Sequence, residues 1–197
     1  ETSLHWFHTL NTMKIALSDE QYTRVLECFW SSQLRSKLWL IEQLEKHHLL
    51  GALSNVPVYV YGGWYGVLAQ MLYDKTNGFI ISVDIDPECE SIGNWLSPDV
   101  DYHTEDMTTH RPVSPHAVSI NTSSEHITQE QYDLWMNNRP SGSLVVVQGN
   151  NFFANHEHVR CHHTLTEFVK TSGLTNIVYA GSLDCVDFTR FMVIGFK

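Results

Sequence analysis

The residues best suited to chemistry lie in short runs, each placed directly after an apolar stretch. Gly62-Gly63-Trp64-Tyr65-Gly66 follows the apolar run Val56 to Tyr61, and glycines at such a turn let backbone approach a ligand closely. Asp84 and Asp86 end the next apolar run, about 20 positions on, where a carboxylate can accept hydrogen bonds from a ribose diol. Asn121-Thr122-Ser123-Ser124-Glu125-His126 forms a third polar exit. The Asn121 carbonyl can orient an acceptor amine there, and Glu125 or His126 can take the proton that an amine, hydroxyl or thiol loses around a transfer step. Gln148-Gly149-Asn150-Asn151 adds further amides, which makes Asn150 and Asn151 candidate substrate contacts.

The glycine run discriminates between ligands. A dinucleotide requires glycine at the later positions of GxGxxG, yet counting from Gly62 those places hold Trp64 and Val67, whose bulk obstructs a pyrophosphate. A sulfonium cofactor carries no phosphate, and its cation is served by aromatic faces such as Trp64 and Tyr65 and by nearby carboxylates. The same residue types also have structural uses: Gly62 to Gly66 as a strand-to-helix turn, Asn121 to His126 as a helix cap, Asn150 and Asn151 as turn formers. Twelve histidines raise the question of a metal, above all His156, His158, His162 and His163, with His158 and His162 on one expected helix face. No HExxH spacing is present, and the reading is that no metal is bound.

These runs need elements to position them. Ser18 with Gln21 forms a capping box, followed by apolar residues at helical spacing from Tyr22 to Leu44, as one helix or two with a break near Ser31-Ser32 and a stop at Gly51. Strands are predicted over 56–61, 79–85, 100–104, 117–120 and 143–148, separated by helices over 67–72, 88–95 and 128–135. Such alternation argues for a mostly parallel sheet. A helix is then expected over 158–171, and strands over 176–181 and 188–196 with a link too short for a crossover, so the sheet ends in an antiparallel hairpin. The expected fold is α/β, doubly wound, with seven strands; residues 1–54 form an N-terminal helical cap within the same domain as the 55–197 core.

This layout, with Gly62 to Gly66 and Asp84 in place, resembles the class I S-adenosylmethionine-dependent methyltransferase family over residues 55–197. The resemblance implies that Gly62, Gly63 and Gly66, with Trp64 and Tyr65, hold the methionine part of S-adenosylmethionine. It also implies that Asp84 holds the ribose and that Asp106 meets the adenine. It implies methyl transfer to a small-molecule or protein acceptor. Two departures stand out: Val60 replaces the family's acid before the glycines, and Trp64 replaces the middle glycine. The partner of the methionine ammonium is therefore open among Glu105, Asn121 and carboxylates of the N-terminal helices. A methyltransferase-like fold kept as a non-catalytic interaction or assembly module is the alternative; an NAD-dependent oxidoreductase ranks third.

Composition sets outer limits. A chain of 197 residues suits one domain. Twelve Lys and Arg against 22 Asp and Glu give a net charge of -10 with no basic stripe, which argues against a nucleic-acid partner. Cys28, Cys89, Cys161 and Cys185 form no CxxC pair, which fits a reducing, cytoplasmic setting. No stretch approaches the roughly 18 apolar residues of a membrane span.

Overall fold

The computed structural model describes residues 1–197. Three helices come first: Thr2–Ala16 (α1), Asp19–Glu27 (α2) and Ser31–Lys46 (α3). The capping box at α2 is present as expected, with Ser18 Oγ accepting from the Gln21 amide and Gln21 Oε1 accepting from the Ser18 amide. The break in the apolar run falls at 28–30, so the pattern forms two helices. The expected stop at Gly51 is corrected. His48 takes a left-handed φ of 57° just after α3 ends at Lys46, and Gly51 falls inside a one-turn helix, Leu50–Leu53 (α4). No side chain caps α1, and only Thr9 and Met13 on it are buried, so it lacks the signals by which a helix is read.

The core alternates as a doubly wound fold should: Val58–Tyr61 (β1), Val67–Thr76 (α5), Ile80–Asp84 (β2), Pro87–Leu96 (α6), Asp101–Thr104 (β3), Val118–Asn121 (β4), Gln129–Asn137 (α7) and Leu144–Asn150 (β5). Leu165–Thr171 (α8), Asn176–Asp184 (β6) and Thr189–Phe196 (β7) complete it. The seven strands run in the order β3-β2-β1-β4-β5-β7-β6, parallel from β3 to β5, with β7 antiparallel to both β5 and β6. No helix is long and apolar enough to cross a membrane.

Side-chain alternation divides the core into layers. Val58 and Val60 of β1 face α3 and α5, packing with Trp39, Leu40, Leu44, Leu68 and Leu72. Tyr59 and Tyr61 face the other side, with Tyr132 and Trp135 of α7 and Phe168 of α8. A smaller cluster joins Met13 of α1, Val25 of α2 and Ile92 of α6 to Tyr65 and Val67. The N-terminal helices thus bury apolar surface directly against the sheet and its helices.

One expected element is shortened. The helix predicted over 158–171 begins only at Leu165, where Thr164 Oγ1 accepts from the Glu167 amide. Residues 151–164 are a loop, held by local bonds that compete with helix: Asn150 Oδ1 accepts from the Phe152 amide, Asn155 Oδ1 accepts from the Glu157 amide, and the Asn150 carbonyl accepts from the His162 amide.

Topology gathers the chemical runs. Tyr61, the last residue of β1, lies opposite Val83 of β2 and Asn121 of β4. The loops leaving these three strands therefore share one rim, at the point where the strand order reverses. Arg190 of β7 pairs with Asn150 at the same end of β5 and joins that rim from the hairpin.

Candidate functional site

Two cavities flank the loop after β1. The larger, about 340 Å³, is walled by Asp84, Ile85, Asp106, Met107, His126 and Gln131. The smaller, about 70 Å³, is walled by Lys37, Trp64, Thr122, Glu125 and Arg190. Gly62 and Ser123 border both, so the two spaces adjoin across the first loop and the exit of β4.

The glycines of the loop answer mainly to protein. A Cβ on Gly62 would strike Ser123 Oγ, on Gly63 Ser82 Oγ, and on Gly66 the Tyr102 hydroxyl. Gly62 and Gly66 also carry φ of +63° and +81°, which L side chains rarely adopt. Trp64 does adopt it, at φ 55°. Its amide donates to Asp84 Oδ2 at 3.1 Å, while Asp84 Oδ1 accepts from the Asp86 amide at 3.1 Å. Tyr65 lines the smaller cavity, but its side chain is fully buried in the cluster with Cys28 and Cys89; burial pushes its hydroxyl up.

The two acids at the tip of β2 separate in role. Asp86 Oδ1 caps α6 by accepting from the Glu88 amide at 2.9 Å, and Oδ2 pairs with Arg24 at 3.0 Å. The Arg24 guanidinium holds that carboxyl below its ordinary value. Asp84 has no cation beside it and borders the larger cavity. Asp106 is exposed on the same cavity's rim, its Oδ1 accepting from both the amide (2.9 Å) and the hydroxyl (2.8 Å) of Thr108.

The polar run after β4 divides. Asn121 is fully buried, its Oδ1 accepting from the Ser123 amide at 3.0 Å and its Nδ2 3.5 Å from Met107 Sδ, and it borders neither cavity. Its local bonds shape the turn. Glu125 and His126 lie on a single 3₁₀ turn and face different ways, Glu125 into the smaller cavity and His126 into the larger. Glu125 Oε1 lies 3.6 Å from His126 Nε2, and its buried Oε2 has no partner. Asn150 and Asn151 border neither cavity. Asn150 holds the 151–164 loop, and Asn151 Oδ1 accepts from the Thr189 amide at 2.7 Å.

Two cations complete the smaller cavity, and neither was among the expected site residues. Lys37 of α3 donates to Gln33 Oε1 at 3.1 Å, and burial lowers its ammonium to about 8. Lys37 is partly buried, whereas Arg35 on the same helix lies exposed and donates to the Asp184 carbonyl at 3.2 Å. A signal existed, because Lys37 falls on the inward stripe with Leu34, Ile41 and Leu44. Arg190 is 5% exposed, and its Nε has no partner. It comes from the far end of the chain, and no motif marks it.

No family model matches the chain, and no match is found among curated proteins. Solved structures do match. Magnesium protoporphyrin IX methyltransferase (ChlM) from Synechocystis PCC 6803, with bound S-adenosylmethionine, superimposes with a TM-score of 0.65 at 10% identity, over 91% of this chain and 85% of that one. The N-methyltransferase NodS from Bradyrhizobium japonicum WM9 gives 0.56 at 12% identity, over 79% and 96%. A Thermoplasma acidophilum protein, 1320, gives 0.63 at 11% identity, over 85% and 91%. The chain has the fold of the class I methyltransferases, hairpin included.

Proposed function

We propose that this chain, built on the class I methyltransferase fold, binds S-adenosylmethionine across the two adjoining cavities and transfers its methyl group to a nucleophilic small-molecule or protein acceptor. The observation that carries the reading is the pairing of a roomy cavity lined by the carboxylates Asp84, Glu105 and Asp106 with a small cavity bearing two cations, Lys37 and Arg190, on either side of Gly62 and Ser123. That division matches the two ends of the cofactor. Asp84 suits the ribose hydroxyls, Ile85, Met107 and Ile127 offer apolar walls to an adenine, and Asp106 lies at that cavity's edge. Lys37 and Arg190 suit the methionine carboxylate, and the unpartnered Arg190 Nε is a buried donor with bonding capacity to spare.

When bound, the cofactor supplies an electrophilic methyl on a sulfonium. The chain's own residues then act by position. Trp64 offers an aromatic face to the cation and, with Tyr65 stacked behind it at 5.6 Å, resists displacement. Glu125 and His126 stand on the turn between the cavities, where they can accept the proton an acceptor must lose. Asn121, Asn150 and Asn151 shape the rim without touching the reactants.

A second reading draws on Trp64, which lines the smaller cavity at the position where the resemblance would place glycine: the fold would serve as a non-catalytic interaction module. Calorimetry with S-adenosylhomocysteine separates the two. Binding to the wild type that weakens in Asp84→Ala supports methyl transfer. No binding of either S-adenosylmethionine or S-adenosylhomocysteine, with Asp84→Ala indistinguishable from wild type, sinks it in favour of the module.

A further inference from the structure

The expected helix over His158 to Thr171 would have placed His158 beside His162. The loop that replaces it sends the two histidines apart. His162 turns inward onto Phe168, with ring centroids 5.3 Å apart, and its Nε2 is 2.8 Å from Thr171 Oγ1. His158 turns toward the exit of β4 instead, where its ring centroid is 5.0 Å from that of His126. One ligand atom each from Glu125, His126 and His158 lies within 4.8 Å of the others.

We propose that Glu125, His126 and His158 form a binding site for a divalent transition-metal cation of the zinc type. Two imidazoles and one carboxylate are a donor set that such ions take, with a position left open for an outside ligand. Three features show a site already arranged for it. The Glu125 side chain is 6% exposed, and its Oε2 has no hydrogen-bond partner. A buried carboxylate oxygen without a donor is costly, and a cation satisfies it. His158 Nδ1 is 3.0 Å from the Phe152 carbonyl. A carbonyl only accepts, so Nδ1 carries the proton and the Nε2 lone pair is left free; this is the outer-shell contact that orients metal-bound histidines. The Glu125 carbonyl accepts from the amides of Val159 (2.8 Å) and Arg160 (3.2 Å), which ties the 151–164 loop to the turn and fixes His158 against its two partners.

The site stands where Glu125 meets the smaller cavity and His126 the larger. An ion there would occupy the lone pairs that Glu125 and His126 otherwise offer to a proton, and its open position, facing the space between them, would hold an acceptor's oxygen, nitrogen or sulfur and ease loss of its proton. This last step rests on the methyl-transfer reading. The ion site itself does not.

The test uses the full chain, stripped with chelator and dialysed. Zn2+ is titrated by calorimetry, and Co2+ by visible absorption, in wild type, His158→Ala, His126→Gln, Glu125→Gln and a control, His156→Ala/His163→Ala. The control changes two exposed histidines outside the cluster. The expected result is one ion per chain, with affinity reduced at least tenfold in each of the three single variants and unchanged in the control. Tetrahedral Co2+ bands should be lost in His158→Ala and His126→Gln, both of which alter side chains outside the packed core. No stoichiometric binding, equal affinity in those two variants and wild type, or an equal loss in the control overturns the site. S-adenosylhomocysteine titrated into the same chelated samples reports separately on methyl transfer, so either reading can fail while the other stands.

Discussion

The amide of Trp64 donates to Asp84 Oδ2 across 3.1 Å, so the carboxylate that faces the larger cavity also fixes the turn between β1 and α5. A residue held at φ 55° without glycine's freedom is strained by about 1 kcal/mol, and this bond helps to hold it there. Loop geometry and, in the proposed function, ligand binding therefore depend on one side chain.

Replacing Asp84 with Ala should weaken S-adenosylhomocysteine binding about 10- to 100-fold, the loss of charge-assisted hydrogen bonds worth about 1.5–3 kcal/mol. Asp84→Asn keeps one acceptor oxygen and should fall between. Calorimetry on the three proteins checks the order, and equal affinities would remove Asp84 from the site.

Lys37 gives the proposed cofactor site a pH signature. Its ammonium, lowered to about 8 by burial, is charged below that value and neutral above it. Affinity for a carboxylate ligand should decline as pH rises through about 8 in the wild type. It should be weaker and flat across the same range in Lys37→Met, which keeps the length of the side chain without its charge. Parallel titrations at several pH values read both slopes, and identical slopes would place the ligand carboxylate elsewhere.

His162 should make the fold acid-sensitive. Burial holds its imidazole down to about 4, below the ordinary 6.5. Between those values the unfolded chain binds more protons than the folded one, so this group's contribution to stability is complete above about 6.5 and is lost as pH drops toward 4. The full loss is on the order of 3 kcal/mol. Urea unfolding from pH 7 to pH 4 should show this decline in the wild type and a smaller one in His162→Gln.

Gly66 precedes α5 at φ +81°, with the Tyr102 hydroxyl where a Cβ would go. Gly66→Ala should therefore lower stability by about 1–3 kcal/mol through backbone strain and overpacking. Chemical denaturation measures it. In the double variant with Tyr102→Phe, removal of the hydroxyl should recover only part of the loss, because the φ remains and the ring's Cζ still lies 2.9 Å from the added Cβ; complete recovery would show that neither contributes.

Local signals carried most of the fold and part of the site. The capping boxes at Ser18 and Thr128, the apolar runs that became β1, β2 and β5, and the short link before β7 are patterns within a few residues of one another. Strand and helix formation respond directly to such patterns, so alternation and the terminal hairpin were legible in the chain. That Gly62, Asp84, Glu125 and His126 would border the rim was legible for the same reason, since each stands at the exit of a readable strand. Asn121, Asn150 and Asn151 were not: an Asn after a strand either faces a ligand or bonds its own backbone, and only the folded neighbours decide which.

Tertiary structure alone joined Lys37 of the third helix and Arg190 of the last strand to one cavity, 153 positions apart in the numbering of a single chain. It also turned His158 away from His162 and toward Glu125 and His126. Periodicity records which face of an element is buried, but the meeting of distant elements depends on how the whole sheet is wound. The sequence by itself determined the elements and the rim they share; the winding decided which charges and imidazoles meet there.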